Sequence, residues 1–227
     1  MIIMLGRIAL KNRVLPTYTK GEEIFNMVSH IVGGAWGIFA LVTCLIISTL
    51  NKSSVGALCG AVFGISMILL YTVSSVYHGL RPNMAKKVFQ VIDHCTIYLL
   101  IAGTYTPMLV CGLATKYPFE ACITFAVVWG FAVLATTLTA IDLKKFRYFS
   151  MACYIGMGWS IIFSITKMYR SVTPACFWLL LLGGVLYTVG VIFYNIGKKR
   201  KYFHSVFHLF VLAGSVSQTV SVFMVLG

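Results

Sequence analysis

The chain has 227 residues, of which 59% are hydrophobic and only 10% are charged. Soluble domains average roughly 45–50% apolar and about 25% charged residues, so this composition excludes a soluble enzyme, a disordered tail and a coiled coil, and indicates an integral membrane protein. The 18 lysines and arginines outnumber five acidic residues and give a net charge of +13, which on a soluble protein would point to nucleic acid.

The predicted elements are seven apolar stretches, each long enough to cross a bilayer as a helix. A transmembrane helix needs roughly 20 mainly apolar residues. The stretches cover residues 25–50, 54–78, 88–113, 121–141, 148–166, 175–196 and 202–226. Pro107 lies inside the third stretch, where we expect a kink because proline lacks a backbone N–H. The sequence therefore predicts an all-α fold: an N-terminal segment of residues 1–24 and a seven-helix transmembrane bundle of residues 25–227.

The basic residues are concentrated in every second connection between these stretches. Four lie in the remaining connections, and fourteen lie in the N-terminal segment and in the loops after the second, fourth and sixth stretches. The fourteen are Arg7, Lys11, Arg13, Lys20, Arg81, Lys86, Lys87, Lys144, Lys145, Arg147, Lys198, Lys199, Arg200 and Lys201. Short loops rich in Lys and Arg stay cytoplasmic. The distribution predicts a cytoplasmic N-terminus and an extracytoplasmic C-terminus, and it explains the net charge without a nucleic-acid partner.

All five histidines lie near the predicted cytoplasmic ends of their helices. His204 and His208 are four residues apart, which places both imidazoles on one face of the last helix. His78 ends the second stretch at a similar depth. Three histidines with one open position suit a catalytic Zn²⁺ ion. The pattern predicts a Zn²⁺ site; the alternative is a set of hydrogen-bonded histidines at the membrane interface.

Two further polar residues, Asp93 and Ser74, are candidates for catalysis. Asp93 is the only acidic residue well inside an apolar stretch, and an ionisable group within the membrane suggests a function because burying it is costly. Ser74 lies four residues before His78 and shares its helix face. We expect Ser74 either to hydrogen-bond a metal-bound water or a developing oxyanion, or to bond back to its own helix.

The remaining candidates form a polar stripe at the start of the first stretch. Glu23, Asn26 and His30 follow a helical spacing. The stripe either supports the metal ligands from behind or is a hydrated helix end. His94 follows Asp93 directly and so points about 100° away from it; we expect His94 to contact a neighbouring helix rather than the ion.

Taken together, these residues resemble the hemolysin III family, the bacterial branch of the progestin and adipoQ receptor superfamily. The resemblance extends from residue 22 to the C-terminus and rests on Glu23-x-x-Asn26-x-x-x-His30, Ser74-x-x-x-His78, Asp93 and His204-x-x-x-His208. It implies seven helices with the N-terminus inside, in the bacterial plasma membrane. It also implies membership of a group of membrane metal hydrolases that includes ceramidases, and a link to membrane lipid homeostasis.

The same resemblance implies roles for individual residues. Members of the superfamily bind zinc through three histidines near the cytoplasmic face, and an aspartate contacts the zinc-bound water. On this chain the implied zinc ligands are His78, His204 and His208, with Asp93 and Ser74 facing water or substrate.

Three functions remain open at this stage. The leading hypothesis is a Zn²⁺-dependent hydrolase of a lipid amide or ester, with membrane lipids as partners and no obligatory protein partner. The first alternative is a non-catalytic sensor or regulator of the membrane in which zinc holds the second and seventh helices together. The second is a haemolysin-type pore or transporter, which is disfavoured because the stretches lack charged residues near the membrane midplane.

Overall fold

The computed structural model describes residues 8–227, which form seven long apolar helices. They are α1 (Lys20–Leu50), α2 (Ser54–Gly79), α3 (Met84–Thr115), α4 (Pro118–Ile141), α5 (Arg147–Ser171), α6 (Pro174–Gly197) and α7 (Phe203–Leu226). No strand occurs among residues 8–227. The predicted all-α, seven-helix fold is confirmed, whereas residues 1–7 of the predicted N-terminal segment lie outside the described residues.

Polar capping residues place the start of α1 before the start of its apolar stretch. The Thr19 hydroxyl accepts a hydrogen bond from the Glu22 N–H at 3.3 Å, and the Glu22 carboxylate accepts one from the Thr19 N–H at 2.8 Å. This reciprocal pair is a capping box. As a result α1 begins at Lys20, five residues before the predicted start of the transmembrane domain at residue 25.

Two of the helices change their hydrogen-bond pattern along their length. In α3 the α-helix ends at Pro107 and continues as a π turn, Met108–Gly112, and a 3₁₀ turn, Leu113–Thr115. Proline has no N–H to donate, so the disturbance predicted at this position takes the form of a changed helical pattern. In α5 a 3₁₀ segment, Ser160–Ser164, separates two α-helical parts.

Glycines let α1 and α2 approach closely. A Cβ atom on Gly33 would lie 2.3 Å from Cδ1 of Tyr71, and one on Gly64 would lie 2.6 Å from Cβ of Leu41. Small residues at such contacts let helix backbones pack tightly within a membrane. Large side chains fill the adjacent core with no exposed surface; among them are Phe63, Met67, Tyr71 and Val222.

The outward faces of the helices are apolar. On α1, Ile38 is 56% exposed, and on α4, Val133 is 65% exposed. Exposed apolar surface of this extent is typical of a face that contacts lipid. The chain is therefore a membrane protein with seven spanning helices.

The N-terminal segment and the three basic loops meet at one end of the bundle, here termed the basic end. Side chains and backbone groups of the four segments are joined by hydrogen bonds. These run from the Ile8 N–H to Oδ2 of Asp142 (2.9 Å), from Nζ of Lys87 to the Lys11 carbonyl (2.6 Å) and from the Tyr202 N–H to Oε1 of Glu22 (2.6 Å). The basic end is also where the histidines lie.

Candidate metal centre

Three buried histidines converge at the basic end. His78 lies in the last turn of α2, and His204 and His208 lie in the first two turns of α7. One ring nitrogen of each lies within 4.8 Å of the others, and Nε2 of His204 is 3.1 Å from Nε2 of His208. This is the one such group of metal-binding side chains within residues 8–227, and it joins the three residues that the sequence predicts as ligands.

The donor set fits a Zn²⁺ ion. Tetrahedral zinc with Zn–N distances of 2.0–2.1 Å requires ligand nitrogens about 3.3 Å apart, close to the 3.1 Å between His204 and His208. Nε2 of His78 is buried and has no hydrogen-bond partner among the described residues. Three imidazoles leave one position of a tetrahedral ion open for water or substrate.

Glu23 contacts one histidine of the cluster, His78. Its Oε2 lies 2.6 Å from Nδ1 of His78, and its Oε1 accepts a hydrogen bond from Nζ of Lys86 at 2.7 Å. A carboxylate at one imidazole nitrogen keeps the proton on that nitrogen and leaves the other free to bind metal. On this assignment Nδ1 of His78 carries the proton, and the buried Nε2, which has no hydrogen-bond partner among the described residues, is the nitrogen left to bind metal.

Lys86 is buried with only 2% of its surface exposed. Besides the Glu23 carboxylate, its ammonium group donates to the Leu80 carbonyl at 3.0 Å. Lys86 therefore neutralises the Glu23 carboxylate inside the protein. The sequence places it in a basic loop, and nothing in that pattern predicts a buried partner of a site residue.

Asn26 and His30, the other two members of the polar stripe, are buried. Asn26 is fully buried and His30 is 4% exposed, whereas the Glu23 side chain is 21% exposed; the burial of Asn26 and His30 favours the supporting role at these two positions. The His30 ring stacks on His208 with centroids 3.9 Å apart and an interplanar angle of 30°. The side-chain polar atoms of both residues have no hydrogen-bond partner among the described residues. His30 thus supports the cluster through ring contact.

A cavity of about 490 Å³ lies beside the cluster. Its polar lining includes His204, His208, Asp93 and Ser74, whereas most of its wall is apolar. The Ser74 hydroxyl interacts with the Asp93 carboxylate. Of the two predicted roles for Ser74, this contact favours the one at the cavity over a bond to its own helix.

The cavity continues deep into the bundle. Gln218, which also lines it, lies ten residues beyond His208 on α7 and is therefore about 15 Å further along the helix axis. Residues of α5 and α6 complete the wall, among them Tyr154, Trp159, Leu180, Leu181, Tyr187 and Val191. The cavity is long enough to hold an extended hydrocarbon chain with one end at the histidines.

His94 is not one of the converging residues. Its Nδ1 lies 2.8 Å from the Gln90 carbonyl of its own helix. The His94 carbonyl accepts a hydrogen bond from the Tyr154 hydroxyl of α5 at 2.8 Å.

Tyr18 is a second neighbour of the cluster that the sequence does not predict. Its ring stacks on His204, with centroids 4.9 Å apart and an interplanar angle of 20°. Burial, together with the nearby Tyr194 and Glu23, raises the pKa of the Tyr18 hydroxyl well above its usual value. The phenol is therefore neutral. A tyrosine outside the apolar stretches carries no sequence signal for this position.

Comparison with known proteins identifies the family. The family described as "Haemolysin-III related" matches residues 18–219. The hemolysin-3 homolog of Bacillus subtilis (strain 168) is 38% identical over 200 residues, or 88% of this chain and 92% of that protein. Hemolysin-3 of Bacillus cereus is 38% identical over 194 residues, covering 86% and 87%. The human monocyte to macrophage differentiation factor is 26% identical over 160 residues, covering 66% and 63%. The chain therefore belongs to the haemolysin-III-related family of membrane proteins.

Proposed function

We propose that the protein is a Zn²⁺-dependent hydrolase of the bacterial plasma membrane that cleaves an amide or ester bond of a membrane lipid. One observation carries this proposal: a buried group of three histidines borders a mostly apolar cavity that also contains Asp93 and Ser74. A cavity of this kind fits an acyl chain, with the carbonyl group beside the histidines. A role in membrane lipid homeostasis would follow.

The orientation of the bundle is part of the proposal. Basic loops remain on the cytoplasmic side, and the four basic segments are joined at the basic end. With the basic end in the cytoplasm, the histidines lie one to two helical turns inside the membrane, at the depth where lipid headgroups join their acyl chains.

In the proposed hydrolysis, Asp93 and Ser74 act together with the bound metal. A bound Zn²⁺ ion supplies Lewis acidity and a water of lowered pKa. Asp93 accepts a proton from the attacking water and returns it to the departing amine or alcohol. Ser74 donates a hydrogen bond to the oxyanion that develops on the lipid carbonyl. The water oxygen joins the carbonyl carbon, the C–N or C–O bond breaks, and the products are a carboxylic acid and an amine or alcohol.

The test uses purified, zinc-loaded protein in phosphatidylcholine vesicles, with a ceramide as the amide probe and a phospholipid as the ester probe. We expect a released fatty acid, detected by mass spectrometry, and a turnover at least about 100-fold lower in Asp93→Asn, since general acid–base catalysis contributes that much. The matched control is Glu120→Gln, because Glu120 pairs with Lys167 away from the cluster. Absence of any product, or equal turnover in Asp93→Asn, would overturn the proposal.

One observation favours a second candidate, a membrane regulator with structural zinc: the three histidines join α2 to α7. That function predicts a lower unfolding temperature after zinc removal by a chelator and no lipid product under any condition. Measuring the unfolding temperature and the released fatty acid on the same samples separates the two functions.

A further inference from the structure

The N-terminal residues 8–18, here termed the strap, run across the basic end and are tethered to the basic loops there. Asp142 accepts a hydrogen bond from the Ile8 N–H at 2.9 Å, and the Lys11 carbonyl accepts one from Nζ of Lys87 at 2.6 Å. Burial alone would raise the pKa of Asp142, but the N–H groups of Ile8, Lys145 and Lys144 outweigh it and hold that pKa below its usual value. Asp142 is thus a charged anchor for the strap at neutral pH.

The strap forms the wall of the cavity at the basic end. Asn12, Arg13, Val14 and Pro16 of the strap line the same cavity as Asp93. The α1 capping box at Thr19 fixes the point where the strap joins the bundle. The strap therefore forms part of the cavity wall at this end.

Tyr18, at the end of the strap, lies directly against the histidines. Its ring stacks on His204 at 4.9 Å and lies 5.7 Å from the ring of His78. Tyr194 of α6 lies 5.7 Å from the His204 ring, and Phe207 lies 5.5 Å from it. Aromatic rings therefore surround the His204 imidazole and limit its rotation.

We propose that Tyr18 is a positioning residue of the histidine cluster: its ring holds the His204 imidazole with Nε2 facing His208 and covers the cluster against water-soluble reagents. The effect on metal retention rests on the proposed function, whereas the covering of His204 does not. Two measurements address the two parts separately.

The first measurement is the rate at which zinc-loaded protein loses its metal to a water-soluble chelator. We expect Tyr18→Ala to release zinc at least about tenfold faster than the wild type, the size of effect seen when a residue supporting a metal ligand is removed. Tyr18→Phe keeps the ring and should release zinc at the wild-type rate. The matched control is Tyr148→Ala, because Tyr148 is 75% exposed. A wild-type rate in Tyr18→Ala, or a fast rate in Tyr18→Phe, would overturn the proposal.

The second measurement needs no metal. Metal-free protein is treated with diethyl pyrocarbonate, and modification of each histidine is followed by mass spectrometry. We expect His204 to react about tenfold faster in Tyr18→Ala than in the wild type and in Tyr18→Phe, while His94, whose side chain is 21% exposed, reacts equally in all three. A chain that binds no zinc but shows this pattern would overturn the proposed function and retain the role of Tyr18 as a cover.

A further variant tests the same role independently, in case Tyr18→Ala does not fold. Asp142→Asn weakens the anchor of the strap without altering Tyr18, and we expect it to increase the reactivity of His204 in the same direction by a smaller factor. Equal reactivity of His204 in the wild type, Tyr18→Ala and Asp142→Asn would show that the strap does not cover the cluster.

Discussion

The two sides of the bundle are packed differently. Where α1 meets α2, a Cβ atom on Gly33 or Gly64 would lie less than 3 Å from a neighbouring side chain. On α4 and α5, a Cβ atom on Gly130, Gly156 or Gly158 would have nothing within 4 Å; Gly130 and Gly156 lie on the exposed outer surface, whereas Gly158 is partly buried. The tight side carries His78 and the Glu23–Lys86 pair, whereas Gly158 lines the cavity.

This difference separates two requirements of the proposed site. Metal ligands need a rigid support that holds them within about 0.5 Å of their working geometry, and close helix packing provides it. A hydrocarbon chain needs space, and the interrupted helix α5 leaves space beside the cluster. Substitutions on the two sides should therefore have different consequences.

The largest effect is expected for Lys86→Met on the tight side. The change leaves the Glu23 carboxylate without its buried cation. Breaking a fully buried pair costs about 3–5 kcal/mol, and we expect the lower end of this range because the Glu23 side chain is 21% exposed. The free energy of unfolding, measured by titration with a denaturing detergent, should fall by that amount. The control Lys199→Met, at an exposed lysine of another basic loop, should have little effect. If Lys86→Met is as stable as the wild type, the buried ion pair does not support this side.

The next prediction compares the free energies of unfolding of variants at two glycines, one on each side. Gly64→Val should lower the free energy of unfolding by about 1–3 kcal/mol, because the added atoms overlap Leu41 and overpacking of a core costs that much. Gly156→Ala on α5 should raise it by up to about 1 kcal/mol, since alanine favours a helix over glycine. The same unfolding titration measures both, and equal destabilisation would remove the distinction between the two sides.

A third effect concerns the metal ligand His78. Glu23→Gln should weaken zinc affinity tenfold to a hundredfold, since loss of a carboxylate behind a metal-binding imidazole typically has an effect of about this size. Competition with a chelator of known affinity measures it. Glu22→Gln, one position away, contacts no histidine and should keep its zinc affinity. Equal affinities in Glu23→Gln and the wild type would exclude the supporting role of Glu23.

The smallest effect is expected at the strap. Asp142 has a lower pKa in the folded protein than the usual 3.8, so its stabilising contribution is present above that value and is lost as the pH falls through the folded-state pKa. Asp142→Asn should lower the free energy of unfolding by about 1 kcal/mol, equally at pH 5 and pH 7. The difference should shrink at pH 3. A difference that changes between pH 5 and pH 7 would implicate another group.

The seven helices were predictable because each contains an apolar run that is long enough to cross a bilayer. Their starts were less so: the apolar run places the first helix at residue 25, whereas the capping box of Thr19 and Glu22 starts it at Lys20. The Thr19-x-x-Glu22 spacing is visible in the sequence and could have located this start. The changed pattern after Pro107 also follows from a residue that the sequence displays.

The candidate site was predictable in part. The spacing of His204 and His208 places both on one helix face, and helix depth brings His78 to the same level. Lys86 and Tyr18 were not predictable, because their positions depend on how the loops and the N-terminal segment fold over the basic end. In sequence, Lys86 resembles any lysine of a cytoplasmic loop, and its burial against Glu23 arises only from tertiary packing.

The measurement that tests the central claim most directly is the zinc content of the purified protein. It is determined beside the triple variant His78→Ala/His204→Ala/His208→Ala, with His94→Ala as the matched histidine control. We expect about one zinc per chain in the wild type and in His94→Ala, and none in the triple variant. Equal zinc in the wild type and the triple variant would contradict the assignment of the three histidines as a metal centre.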